Sequence, residues 1–349
     1  MAKTKKTTTE KKVEKQVKKE VKKFQKTKAY KILTFVVAIV LIIGVAVTYV
    51  LYPEAFENLF NQKQDSIDNP TYSSSQNSFG FYYYTPSTDE ADYYYSANDL
   101  VGTTLVDKLN QILNENFSPT SYAEAKTHLA AADISLTDST KVMNVYDGAL
   151  VNATWDSTSW HREHVWPNAR LGMARVTESG RNQASDLHNL RAITPRVNSS
   201  RSDRWYSDAT GECQTVSNGG YYPGDAHKGD VARIIFYMAI MYKDILTLTD
   251  VGLEDESNHY TPAGAKMGEL TVLLKWHKED PVDEFERNRN QVIYEAQGNR
   301  TPFIDKPEYV HLIWEDKTIT DLTLVEETDS SASVEPVIAL IDFREKLWC

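Results

Sequence analysis

One short stretch of the chain concentrates side chains that handle charge and protons. Residues 160–205, WHREHVWPNARLGMARVTESGRNQASDLHNLRAITPRVNSSRSDRW, hold three of the eight histidines, eight arginines and no lysine. Against Glu163, Glu178, Asp186 and Asp203 the arginines leave a local charge of +4, inside a 349-residue chain of net charge −11. The guanidinium fork meets phosphate oxygens two at a time and keeps its charge at any ordinary pH, so the first expectation is an anionic ligand. Glu163 and His164 are neighbours. The first is a hard oxygen donor suited to Mg²⁺ or Ca²⁺, and the second is an imidazole whose ordinary pKa of about 6.5 suits a general base near neutrality. Asn198 offers a second, neutral oxygen. A cation, a base and arginine are the parts that phosphodiester hydrolysis needs: charge neutralisation at the phosphate, a proton acceptor for water, and support for the extra negative charge of the transition state.

The order of the motifs narrows this further. WHREHVWP (160–167), SDLHNL (185–190) and VNSSRSD (197–203), followed by IIFYMAIMY (234–242), WHKEDPVDEFERN (276–288) and IYEAQGNRTPFID (293–305), resemble the signature series of the endonuclease I family over residues 93–314. That family consists of secreted or periplasmic non-specific nucleases with a ββα-metal (His-Me finger) active site. The resemblance implies an α+β fold, a mostly helical domain around that finger, and 5′-phosphorylated products from DNA, RNA or both. In this reading His164 deprotonates water, while Glu163 and Asn198 hold one divalent cation, Mg²⁺ first, with Ca²⁺ or Mn²⁺ as alternatives. The arginine after Ser-Gly, Arg181, corresponds by resemblance to one that braces the phosphate, with Arg175 as the substitute. Arg170, Arg196 and Arg201 are expected to touch substrate, and Asp186, His188 and Asn189 to support the site. Arg287, Arg289 and Arg300 are candidates for extending a phosphate track.

Three other readings compete. A zinc protease wants HExxH on a helix, whereas His161 and His164 stand three apart around Glu163. A small-molecule phosphodiesterase uses similar parts but spares polymers. A non-catalytic surface protein gripping nucleic acid or another polymer would keep the arginines and survive loss of His164. No helix-turn-helix or zinc-finger pattern announces sequence-specific binding. An acidic chain repels polyanions, so the reading requires the arginines to be focused in one cleft.

The elements that must position these residues follow. Residues 1–31 are lysine-rich, with a charge of +10 over residues 3–31. Ile32–Leu51 is a run of twenty uncharged residues, long enough to cross a bilayer. By the positive-inside rule this predicts a single-pass anchor over 32–52, or a signal segment, with a cytoplasmic N-terminus and an extracellular catalytic domain. A flexible linker is expected over 53–91, the nuclease domain over 92–315 and an acidic tail over 316–349. Leu105, Leu109 and Ile112 recur at helical spacing, Tyr122–Ala131 reads as a helix capped by Ser121 or Thr120, and Asp230–Leu248 as a long core helix. The spacing also predicts a helix over Gly268–His277 and another that opens at Asp280-Pro281 and closes at Gly298. Ser159–Pro167 reads as the first strand of the finger, in which Glu163 and His164 face opposite ways unless the chain twists. Ser199-Ser200 are expected to start its helix. Cys213 and Cys349 are too few for a disulfide framework. Nucleic acid and the membrane are the expected partners, with no obligate protein partner.

Overall fold

The computed structural model describes residues 75–250 and 259–323. The lysine-rich segment, the apolar run 32–52, the first part of the linker, Cys349 and most of the acidic tail lie outside the described residues. Within those described, no helix is long and apolar enough to cross a membrane.

The architecture is α+β, with helices dominating. In chain order it runs α1 (Gly102–Glu115), α2 (Ala125–Ala132), β1 (Lys141–Met143), β2 (Leu150–Asn152), β3 (His161–His164), β4 (Leu190–Ile193), α3 (Pro195–Arg201), β5 (Gln214–Thr215), β6 (Tyr221–Tyr222), α4 (Lys228–Met241), β7 (Thr247–Leu248), β8 (Lys266–Met267), α5 (Leu270–Glu279), α6 (Glu284–Gln297), α7 (Pro302–Asp305) and α8 (Tyr309–Trp314). The strands form separate two-stranded pairs: β1–β2, β3–β4 and β5–β6 antiparallel, β7–β8 parallel.

Helix α4 is the hub. All its residues after Lys228 are buried, and it packs against α5, α1 and α7. Beyond Asp230 and Arg233 in its first turns the helix is largely apolar on every side, which suits a helix surrounded by others, and each fully buried Ile, Met or Phe contributes about 1.5–3 kcal/mol. Helix α1 lies at the edge of that core and is two-faced: Leu105, Leu109, Ile112 and Leu113 point inward. Ahead of α2, Ser121 and Glu124 exchange hydrogen bonds between side chains and backbone amides. Helix α6 opens not at Asp280-Pro281 but at Asp283, whose side chain caps the Glu286 amide while Glu286 returns to the Asp283 amide. It closes at Gly298, φ +83°, where a Cβ would strike the Asn116 carbonyl oxygen.

The linker expected through residue 91 stops short. Gln76 bridges Tyr82, the Tyr82 amide donates to His311, and the Tyr84 amide donates to the Leu322 carbonyl, so this segment is folded onto the domain. Tyr82 and Tyr94 are buried, and the Tyr94 hydroxyl donates to Asp305. The tail contributes too, since Leu322 packs into the main core.

Beneath β3–β4 the interior is ionic. Arg191 and Arg289 share Asp133 at 3.0 and 2.9 Å, Arg191 also reaches Asp230, and Arg233 holds Glu286 through two 2.6 Å bonds. All six side chains are buried. Removing one member of such a pair strands its partner's charge, a loss of about 3–5 kcal/mol. Arg289, and Arg300 with its 2.8 Å bond to Asp305, are therefore framework and not a phosphate track.

Candidate active site

Strand β3 pairs with β4 in the register His161–Ile193, Arg162–Ala192, Glu163–Arg191 and His164–Leu190. Asn189 prolongs the ladder with its side chain, accepting from the Trp166 amide at 2.7 Å and donating to the Trp166 carbonyl at 3.1 Å. Pro167 then takes the chain away. On the other side Thr194 is extended, Pro195 sits at the first position of α3, and the helix packs back on β3. Ser199 and Ser200 thus lie late in this helix and not at its start.

Strand alternation sorts the motif onto two faces. His161 and Glu163 face α3, where residues three apart share one side. The Asn198 amide nitrogen lies 3.4 Å from His161 Nδ1, and Arg201 Nε lies 3.6 Å from Glu163 Oε1. Glu163 is buried and accepts a 2.8 Å hydrogen bond from the Tyr146 hydroxyl; its Oε2 accepts none among the described residues. Burial pushes its carboxyl up to about 7, against the opposing pull of Arg201 and Tyr146.

Arg162 and His164 occupy the opposite face, with the ring of Tyr122 between them. The guanidinium carbon of Arg162 is 3.4 Å from the Tyr122 ring centre, and the His164 ring stacks on Tyr122 at 5.3 Å. Arg162 also donates to the Tyr122 carbonyl and to Glu178. His164 Nε2 is 2.8 Å from the Ala184 carbonyl oxygen. A carbonyl only accepts, so Nε2 carries the proton and Nδ1 keeps the lone pair. Burial pushes the imidazole down to about 4, with Arg162 and Arg175 adding to the effect.

Although the faces are opposed, the strand ends at His164, and one cleft of about 770 Å³ takes in residues from both. It is lined by Glu163, His164 and Asn198 together with His161, Arg162 and Arg175; Asp203 and His259, 3.0 Å apart, line it as well.

The other expected residues fall elsewhere. Arg181 is half-exposed and tied to Glu124 and the Pro119 carbonyl, each at 2.8 Å, and it does not line the cleft, whereas Arg175 does. Arg170 and Arg201, expected to touch substrate, are turned inward. Arg170 donates to the Asp203 carbonyl, and Arg201 to the carbonyls of Val165, Ser202 and Arg204. Arg196 is exposed on α3, away from the cleft lining. Asp186, His188 and Asn189 are buried: Asp186 accepts from Tyr237, Tyr242 and Gln297, and His188 bonds the Asn299 carbonyl. His161 was legible as the residue two before Glu163, on the same strand face. Tyr122, Tyr146 and Tyr206 carry no sequence signal, because each comes from a segment outside the motif.

Among the described residues, no three His, Cys, Asp or Glu side chains cluster to hold a metal. A buried carboxyl with one oxygen free of hydrogen bonds, sharing a cleft with an asparagine amide, supplies oxygen donors of the kind Mg²⁺ takes while keeping several waters.

The family model described as Endonuclease I matches residues 101–308. The chain is 35% identical over 240 residues to an extracellular ribonuclease of Bacillus amyloliquefaciens, covering 66% of this chain and 80% of that one. It is 34% identical over 239 residues to an extracellular ribonuclease of Bacillus subtilis, with the same coverage of 66% and 80%. It is also 25% identical over 156 residues to an extracellular deoxyribonuclease of Aeromonas hydrophila, covering 42% of this chain and 60% of that one. The chain belongs to the endonuclease I family and is a nuclease that hydrolyses phosphodiester bonds.

Proposed function

We propose that this protein is a metal-dependent, non-specific endonuclease acting outside the cell, on RNA and also on DNA, and leaving 5′-phosphate ends. The observation that carries the reading is the His164 imidazole. Its Nε2 proton is engaged by Ala184, its Nδ1 lone pair is free to take a proton from water, and it shares a cleft with Glu163 and Asn198. The β3–β4–α3 unit serves as the ββα finger. Glu163 and Asn198 hold the cation, Mg²⁺ or Mn²⁺, which when bound supplies charge neutralisation at the phosphate and the leaving oxygen. Arg175 faces the phosphate from the cleft wall, with Arg181 the second candidate should Glu124 release it. Similarity to two extracellular ribonucleases and an extracellular deoxyribonuclease supports both the location and the breadth of substrate. The apolar run over 32–52 would tether the domain to the outer side of the membrane.

Matched RNA and DNA polymers, incubated with the wild type and with His164→Ala, each with EDTA and after Mg²⁺ or Mn²⁺ add-back, test this. Cleavage that stops in EDTA, returns with metal, gives 5′-phosphate ends and is lost in the variant is the expected result. Cleavage indifferent to EDTA, or equal in both proteins, would overturn it.

A further inference from the structure

We propose that Tyr146 is a positioning residue for Glu163, pointing one carboxylate oxygen at a divalent cation by tying down the other; this rests on the reading of Glu163 as a metal ligand. Tyr146 lies in the turn between β1 and β2, outside the finger. It is buried and its backbone is left-handed, φ +77°, a conformation a bulky side chain adopts only when its surroundings hold it there. Its hydroxyl oxygen lies 2.8 Å from Glu163 Oε1 and 2.8 Å from the Tyr206 hydroxyl, which in turn is 3.0 Å from the Val165 carbonyl.

A carboxylate only accepts. Tyr146 donates to Glu163, while the Tyr206 hydroxyl donates to the Val165 carbonyl and lies 2.8 Å from the Tyr146 hydroxyl, a contact in which either oxygen can be the donor. The Val165 carbonyl also accepts from Arg201 Nη2 at 3.0 Å. Tyr146 is thus the hydroxyl donor on Glu163 Oε1, and Tyr206 braces it from behind. Arg201 Nε approaches the same oxygen at 3.6 Å. Both groups act on Oε1, and Oε2 is left as the oxygen open to a cation in the cleft that Glu163 lines. Groups of this kind, which orient a ligand without touching the metal, commonly set metal affinity within a factor of about 10–100.

Tyr146→Phe removes one oxygen and keeps the ring. Mn²⁺ is titrated calorimetrically into the full chain of the wild type, Tyr146→Phe and Glu163→Gln, with melting curves recorded in EDTA. The expected result is a Mn²⁺ dissociation constant about 10–100-fold higher in Tyr146→Phe, with the melting curve in EDTA little changed and the cleavage rate recovered at saturating Mn²⁺. A merely structural role would shift the melting curve and would not be rescued by metal. Wild-type Mn²⁺ affinity in Tyr146→Phe, where Glu163→Gln has lost it, overturns the positioning role alone. Wild-type affinity in Glu163→Gln overturns the assignment of Glu163 as ligand, and the positioning role with it. Should Tyr146→Phe fail to fold, Tyr206→Phe carries the test: removal of the hydroxyl that braces Tyr146 should raise the dissociation constant by about threefold to tenfold, and an unchanged value there overturns the proposal.

Discussion

On one face of β3, His161 and Glu163 look into the helix α3; on the other, Arg162 and His164 sandwich a tyrosine. Burial acts on both faces and penalises charge on each, yet the consequences differ. His164, pushed down to about 4, is kept neutral, the form its proposed role as base requires. Glu163 is pushed up to about 7, so the proposed cation would have to hold it in its charged form. On the proposed assignment, one face is ready in advance and the other is completed by its cation. Two adjacent residues on opposite faces line one cleft because it opens where the strand ends.

The largest expected effect breaks the comparison at its centre. His164→Ala should lower kcat by about 10²–10⁴-fold while leaving Mn²⁺ affinity within about a factor of two of wild type, because only the proton-accepting face is touched. The pH profile should separate the faces as well. At saturating metal Glu163 is held as the anion, and the acid limb of kcat should fall toward pH 4, where the imidazole protonates. At subsaturating metal, protons compete with the cation for Glu163, and the limb should lie near pH 7. A limb fixed at the same pH at every metal concentration would show that the faces do not titrate separately.

A smaller effect sharpens the His164 face alone. Tyr122 is held between two side chains of the same strand face, so its ring fixes the plane of the imidazole while Ala184 fixes its tautomer. Tyr122→Leu should lower kcat by about tenfold with metal affinity unchanged, since misplacing a base by about 1 Å costs up to about 10²-fold. Tyr122→Phe keeps the ring and should restore the rate. Equal losses in both variants would mean that the hydroxyl, and not the stack, is what His164 needs.

The sequence made the amphipathic α1 and the body of the core helix α4 readable, because each depends on local spacing, although α4 ends at Met241 and the expected stretch to Leu248 turns into β7. What it hid depends on distant partners. Nothing near Arg191 announces Asp133 or Asp230, and nothing near Arg201 shows that its fork will close on the carbonyls of Val165, Ser202 and Arg204. A run of arginines looked like a phosphate-binding surface, yet Arg170, Arg191 and Arg201 are buried framework residues. The end of the linker was hidden for the same reason: Tyr82 and Tyr84 dock on His311 and Leu322, more than 200 residues along the chain.

That redistribution of arginines gives the smallest and most diagnostic effect. Were all eight arginines of residues 160–205 directed at substrate, affinity would fall steeply with salt. Only Arg162 and Arg175 line the cleft, and Arg162 is already paired with Glu178 at 2.8 Å. On single-stranded substrate the slope of log affinity against log salt is about −0.7 per phosphate neutralised, so one or two contacts predict a slope of roughly −0.7 to −1.4. Arg175→Ala should flatten that slope by about 0.7, and Arg181→Ala should leave it unchanged, because Glu124 already satisfies Arg181 outside the cleft. The measurement is binding of a short single-stranded RNA to the His164→Ala protein at several salt concentrations. An Arg181→Ala effect as large as that of Arg175→Ala would mean that substrate pulls Arg181 off Glu124 and into the cleft. A slope several times steeper than predicted would mean that charges beyond the cleft wall, such as exposed Arg196, hold the polymer as well.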